Sequence, residues 1–273
     1  MDVKDYRKQC QVEIDKAGGK ALSASAKLAE SDHSLGAALT IAADNTADLP
    51  DRVSALGRLQ AATFIPQDIA PVRAKYDALL RQLATDPKRE IRGLALERLA
   101  LSGDRLAQKL LREGLEGTRR PLVPAAKAAQ LLGSDAHAAA RPILRELATN
   151  GKGKAREEAL RALAHDTKST ALFESVSRDK SETRIVRQIA ALSLKQTAPA
   201  KFAKMAQEIV LDASDDTGLR TIAMSAIAHT RVVREKLMGT KFSLAINKLA
   251  SETGSAALKT SIRQFRKLSS GES

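Results

Sequence analysis

Tryptophan is absent from these 273 residues, and only two Tyr and five Phe are present. A chain so poor in aromatic rings lacks the platforms on which unpaired bases stack. The single cysteine, Cys10, cannot form an internal disulfide and fits a reducing compartment. No general base is identifiable near Cys10 in sequence, so it reads as a small helix-face residue and not as a nucleophile. Histidine is equally thin. His33, His137, His165 and His229 are widely separated, and none begins a His-Glu-x-x-His pattern. The stretch Gly151–Lys154 is too short for a phosphate loop and lacks its Gly-Lys-Ser/Thr end. No apolar run approaches the ~18 residues expected of a membrane span, and the charged opening Met1–Asp5 is followed by no apolar signal segment. These absences predict no catalytic residue, no cofactor, no metal, no membrane insertion and a cytoplasmic location. They leave oligomeric state open.

What the chain does have is positive charge, formally +13, unevenly spread. Residues 1–70 carry 8 Lys and Arg against 10 Asp and Glu, whereas residues 151–273 carry 22 against 13. A basic body with a mildly acidic start favours an acidic or polyanionic partner.

It also has a repeated word, Arg-x-x-Ala-x-x-x-Leu. The copies are Arg52/Ala55/Leu59, Arg92/Ala95/Leu99, Arg156/Ala159/Leu163, Arg187/Ala190/Leu194 and Arg220/Ala223/Ile227, with a degenerate Leu122/Ala125/Ala129 that lacks the Arg. Successive copies start 40, 30, 34, 31 and 33 residues apart, a period that signals stacked helical repeats. On a helix, positions 0, +3 and +7 share one face, so the Arg points toward packing. A buried guanidinium needs an acidic or carbonyl partner. Asp86, Asp179, Asp212 and Asp215 are the candidates, each just upstream of a word.

The stretch Asp86–Leu99 resembles the HEAT-repeat family, including its phycobilisome-lyase-like branch. The resemblance spans roughly residues 50–230 and implies an Asp–Arg bond between adjacent repeats. It implies an all-α, right-handed α-solenoid of about six hairpins. The expected organisation is an N-terminal helical cap or degenerate repeat over 1–48, HEAT-like repeats over 49–230, a C-terminal degenerate repeat or cap over 231–268, and a frayed tail over 269–273. Within it, helices are predicted over 2–17, 20–47 (one or two), 68–84, 105–115, 136–149, 170–176, 182–194, 199–210 and 256–268. Asp86 is predicted to cap the helix of Arg92, with Pro87 in its first position.

Two function classes follow. The family resemblance implies a concave face lined by the second helix of each repeat. Positions +1 and +5 of the word place Val53, Val123, Lys127, Arg161, Gln188 and Leu192 there. That mixed surface suits a protein partner, and this non-enzymatic scaffold reading is favoured. The alternative is nucleic-acid binding through a basic edge made of Arg119, Arg120, Lys152, Lys154, Lys201, Lys204, Arg231, Arg234, Lys236, Arg263, Arg266 and Lys267. DNA-alkylation-repair glycosylases are basic HEAT-like proteins of similar size, but they use Trp at the damaged base, and this chain has none. No His is followed by Glu, which separates the chain from the His-Glu di-iron HEAT hydroxylases. His165 and His229 instead read as cations complementing helix C-termini. The third reading, a chromophore lyase or chaperone, rests on the lyase-like repeat alone.

Overall fold

The computed structural model describes residues 35–133 and 135–270, excluding the side chains of 135–137 and 270. The expectations for residues 2–17, Cys10, His33, the His137 side chain and residues 271–273 lie outside the described residues. Among those described there are sixteen α-helices, three short 3-10 turns and no strand. The chain divides into two compact units, Met1–Ser102 and Gly103–Ser273.

The first unit contains α1 (Leu35–Ala43), α2 (Leu49–Ala62), the single turn α3 (Pro66–Ile69), α4 (Arg73–Leu83) and α5 (Arg89–Leu101). The word helices α2 and α5 pack together, and so do α1 and α4 that precede them. Pro50 lies within the first turn of α2, where its missing N–H costs nothing. The helix predicted over 68–84 is in fact broken. Pro66 opens α3 and Pro71 falls in a 3-10 turn, so a continuous helix begins only at Arg73. Tyr76 on α4 is buried and its hydroxyl donates to Gln60 Oε1 at 3.2 Å. Asp86 does not cap α5 and Pro87 is not its first residue. The helix starts at Arg89, and Asp86 Oδ1 accepts from the Lys88 N–H at 2.8 Å in the turn before it.

The second unit contains α6 (Arg105–Glu116), α7 (Ala125–Leu132), α8 (Arg141–Asn150), α9 (Gly153–Ala162), α10 (Thr170–Arg178), α11 (Arg184–Thr197), α12 (Pro199–Leu211), α13 (Thr217–His229), α14 (Arg231–Leu237), α15 (Lys241–Glu252) and α16 (Ala256–Ser270). The segment predicted as one helix over 136–149 is a 3-10 turn through Ala140 followed by α8. Starts are set by side-chain caps. Asp104 accepts from the N–H groups of Leu106 and Ala107, Thr183 from Val186, and Asp216 from Leu219. Gly117 ends α6 at φ +74°, a left-handed conformation suited to glycine. Each of α9, α11 and α13 packs on the helix before it, and α7, α9, α11, α13 and α16 pack in succession. Both α14 and α15 pack on α12 and on α16. The rings of Phe242 on α15 and Phe265 on α16 meet edge to face, 6.3 Å apart.

The word is buried as its spacing requires. Ala55, Leu59, Ala95, Leu99, Ala159, Leu163, Ala190, Leu194, Ala223 and Ile227 are all core residues, as are Leu56, Leu96, Leu160 and Met224 at +4. Full burial of each such Leu stabilises by about 1.5–3 kcal/mol. On α16, Leu258, Ser261 and Phe265 keep the 0, +3, +7 spacing and are buried, although none of the word's residues stands at those positions.

The arginines differ from one another. Arg52 Nε donates to Ala42 O at 3.2 Å and its Nη2 to Asp86 Oδ2 at 2.6 Å. Arg187 Nε donates to Ser177 O at 3.0 Å, and its two terminal nitrogens grip both oxygens of Asp215 at 2.6 and 2.7 Å. Arg156 Nε donates to Ala148 O at 2.8 Å, and its acid is Glu182 and none of the four candidate aspartates. Asp179 is exposed and accepts from the Ser181 N–H and hydroxyl. Asp212 is likewise a turn acid, bonded to Ser214 and Lys180. Arg92 is only part-buried and donates to the carbonyls of Asp86 and Pro87 in its own entry turn. Arg220 is buried and donates from Nε to Val210 O at 3.0 Å.

Candidate functional site

Between α9 and α11 runs an open groove of about 440 Å³, lined by Arg161, Ala164 and His165 on one side and Ile185, Gln188, Ile189, Leu192, Ser193 and Gln196 on the other. Its position follows from the word. Burying positions 0, +3, +4 and +7 turns +1, +5 and +9 the other way. Those positions are Gln188, Leu192 and Gln196 on α11, and Arg161 and His165 (+5 and +9) on the α9 side. Leu192 stays 38% exposed and Ile185 49%, so the floor is apolar surface still in contact with water. Ser193 is buried at the base and returns its hydroxyl to Ile189 O at 2.8 Å.

The rim is charged but locally balanced. Arg161 Nη1 donates to Glu158 at 2.6 Å, its Nη2 lies 3.4 Å from Glu157, and Lys154 stands 3.3 Å from the same Glu157. Two cations thus face two anions. The groove can hold apolar side chains and offer amide and guanidinium hydrogen bonds. No group of three or more His, Cys, Asp or Glu side chains among the described residues is placed to hold a metal.

Three of the six residues expected on a concave face meet here: Arg161, Gln188 and Leu192. Val123 does not belong to an exposed face. It lies in the turn before α7, 8% exposed, against Leu110, Leu111 and Pro121, because Pro124 delays the helix start and folds the preceding residues inward. Lys127 is part-buried on α7, and Val53 is part-buried on α2 in the first unit. The sequence reading missed Ile185, Ile189, His165 and Gln196. The last two could have been found by extending the +1/+5 row one more turn.

Part of the expected basic edge is committed to the protein itself. Lys154 pairs with Glu157, Lys201 with Glu174 at 3.0 Å, and Arg231 with Glu235 at 2.7 Å. Arg234 caps Ala228 O at 2.6 Å, and Arg263 donates to the Thr260 hydroxyl at 3.3 Å. Arg266 lines a second hollow of about 520 Å³ with Met238, Ile246 and Phe265. Arg119, Arg120, Lys152, Lys204, Lys236 and Lys267 are exposed. A parallel set of ion pairs crosses from α10 to α12: Arg178 with Glu208, Lys180 with Asp212, and Lys201 with Glu174. The Lys180 hydrogen bond, aided by Ser214, holds the Asp212 carboxyl far below the usual carboxylate range, and Lys201 lowers Glu174 in the same way. Burial pushes the Asp215 carboxyl up, but the Arg187 bonds and the Asp216 N–H outweigh it and leave it below its ordinary value.

No family model matches the chain, and no curated protein matches it. No described helix is long and apolar enough to cross a membrane.

Proposed function

We propose that the chain is a right-handed α-solenoid of about six HEAT-like hairpins that works as a non-enzymatic protein-binding scaffold, and that the α9–α11 groove is its capture site. The observation that carries this is the exposed pair Ile185 and Leu192, held on a helix whose opposite face is locked into the core. Apolar side chains kept wet on a rigid element favour a partner that covers them. In support of the repeat reading, each of α9 and α11 touches both its preceding helix and the next word-bearing helix, and α13 touches its preceding helix and α16. The partner is a polypeptide that inserts one or two apolar side chains between Ile185 and Leu192. A carboxylate on it can draw Arg161 away from Glu158, consistent with the overall charge of +13. Affinity capture from the native host, run in parallel with the parent and with Leu192→Glu, tests this. The expected result is a defined protein retained by the parent and lost from a variant of unchanged helicity. Equal recovery by both removes the groove from the reading.

The alternative, nucleic-acid binding through a basic edge, draws on that edge's whole set of cations, of which Arg119, Arg120, Lys152, Lys204, Lys236 and Arg266 are exposed and in no ion pair with a described residue. Contacts from such an edge to phosphates would release counterions, so the affinity should fall steeply as salt is added. A gel-shift titration at low salt separates the classes. Tight binding that collapses with added salt favours the alternative over the scaffold.

A further inference from the structure

We propose that Arg220, with the turn of Thr253–Ser255, forms a binding position for a carboxylate supplied from outside the chain. The proposal is independent of the α9–α11 groove. Arg52, Arg187 and Arg220 share one posture: Nε of each donates to the carbonyl ten residues upstream, at 3.2, 3.0 and 3.0 Å. For Arg52 and Arg187 the terminal nitrogens then reach an Asp in the turn before the next word-bearing helix. For Arg220 the helix in the corresponding place is α16, which packs on α13 as α13 packs on α11. The turn before it contains no acid.

That turn otherwise copies the one that serves Arg52. Asp86 is the third residue before α5, and its Oδ1 accepts the Lys88 N–H while Oδ2 takes the guanidinium. Thr253 is the third residue before α16, and its Oγ1 accepts the Ser255 N–H at 3.2 Å. Thr supplies the oxygen that holds the turn and lacks the one that would answer the arginine. The nearest acid in sequence, Glu252, is exposed and lies 3.6 Å from Lys248. Arg220 is 6% exposed, and its one hydrogen bond to a described residue is the Val210 bond. A guanidinium cannot shed its proton, so its burial is costly until an anion meets the fork. The planar, two-oxygen shape of a carboxylate matches that fork, as Asp215 shows at Arg187.

The carboxylate could belong to a small organic acid or to an Asp or Glu side chain of a bound polypeptide. Thermal unfolding of the full chain tests both, with sodium acetate or a blocked Gly-Asp-Gly peptide compared against sodium chloride at equal ionic strength. The expected result is a Tm that rises with carboxylate in the parent. Thr253→Asp should start about 2–6 °C higher and lose the response, and Arg220→Gln should lose it from whatever Tm it starts. Stabilisation by the peptide at tenfold lower concentration than acetate assigns the site to a polypeptide side chain; comparable concentrations assign it to a free acid. If neither carboxylate exceeds chloride in the parent, or if Thr253→Asp responds as the parent does, the proposal is overturned. Should Arg220→Gln not fold, Thr253→Asp alone decides.

Discussion

The α10–α12 side of the second unit and its α9–α11 side are built from the same stretch of chain and treat charge in opposite ways. Across α10 and α12, three cation–anion pairs bridge the helices, Arg178–Glu208, Lys180–Asp212 and Lys201–Glu174. Along α9 and α11, Arg161 and Lys154 pair with acids of their own helix, and the space between the helices is an apolar-floored groove. A high net charge therefore says little about where a partner lands. Several cations fasten neighbouring helices by pairing with acids, and at the α9–α11 groove the charge is cancelled locally.

The hardest way to break this contrast is at the seam both sides depend on. Arg187→Ala leaves Asp215 buried without its bidentate partner, and the expected loss is about 3–5 kcal/mol, read by urea unfolding. Unfolding at the parent's midpoint would mean that the pair contributes nothing to the seam. The same pair predicts acid sensitivity. The folded-state Asp215 carboxyl lies below its ordinary value, so its contribution is present above the ordinary carboxylate pKa and is lost as pH falls through the lowered one. A melting profile from neutral to acidic pH should therefore be flatter for Asp215→Asn than for the parent.

At the groove, Arg161→Glu should weaken partner capture about tenfold, on the order of 1.4 kcal/mol, with stability unchanged within about 0.5 kcal/mol. A melting loss comparable to that of Arg187→Ala would reassign Arg161 to the framework. On the α10–α12 side, Lys201→Ala should cost less than about 1 kcal/mol, and high salt should erase the difference. A salt-independent loss would show packing by the lysine stem. Smallest is a gain. A Cβ at Gly57 or Gly93 meets nothing within 4 Å, and both lie inside helices, so Gly57→Ala and Gly93→Ala should each stabilise by about 0.5–1 kcal/mol. Either variant losing stability would place an unseen constraint on that helix.

How far the chain could be read from residues alone depended on whether the information was periodic. The 0, +3, +7 pattern names its own buried face, so the core Ala and Leu of every full copy were legible. Which acid an arginine takes is set by the path of a short turn. Asp179 and Glu182 both precede Arg187, and only the second is carried to Arg156. The break at Pro71 was legible in principle, but the apolar spacing of Val72, Tyr76 and Leu79 reads through it. In the groove, Gln188 and Leu192 share one helix row, whereas pairing them with Arg161 and His165 requires knowing how α9 and α11 lie side by side. Val123 shows the opposite limit: its word position is exposed only if the helix has already begun.

Tyr76 has a practical consequence. Both tyrosines of the chain fall within Met1–Ser102 and there is no tryptophan, so tyrosine emission reports on that unit alone. Tyr76, sealed from water and bonded to Gln60, is the reporter there among the described residues. Circular dichroism follows helices in both units. A gap between the two optical melting curves would time the loss of one unit against the other without any label.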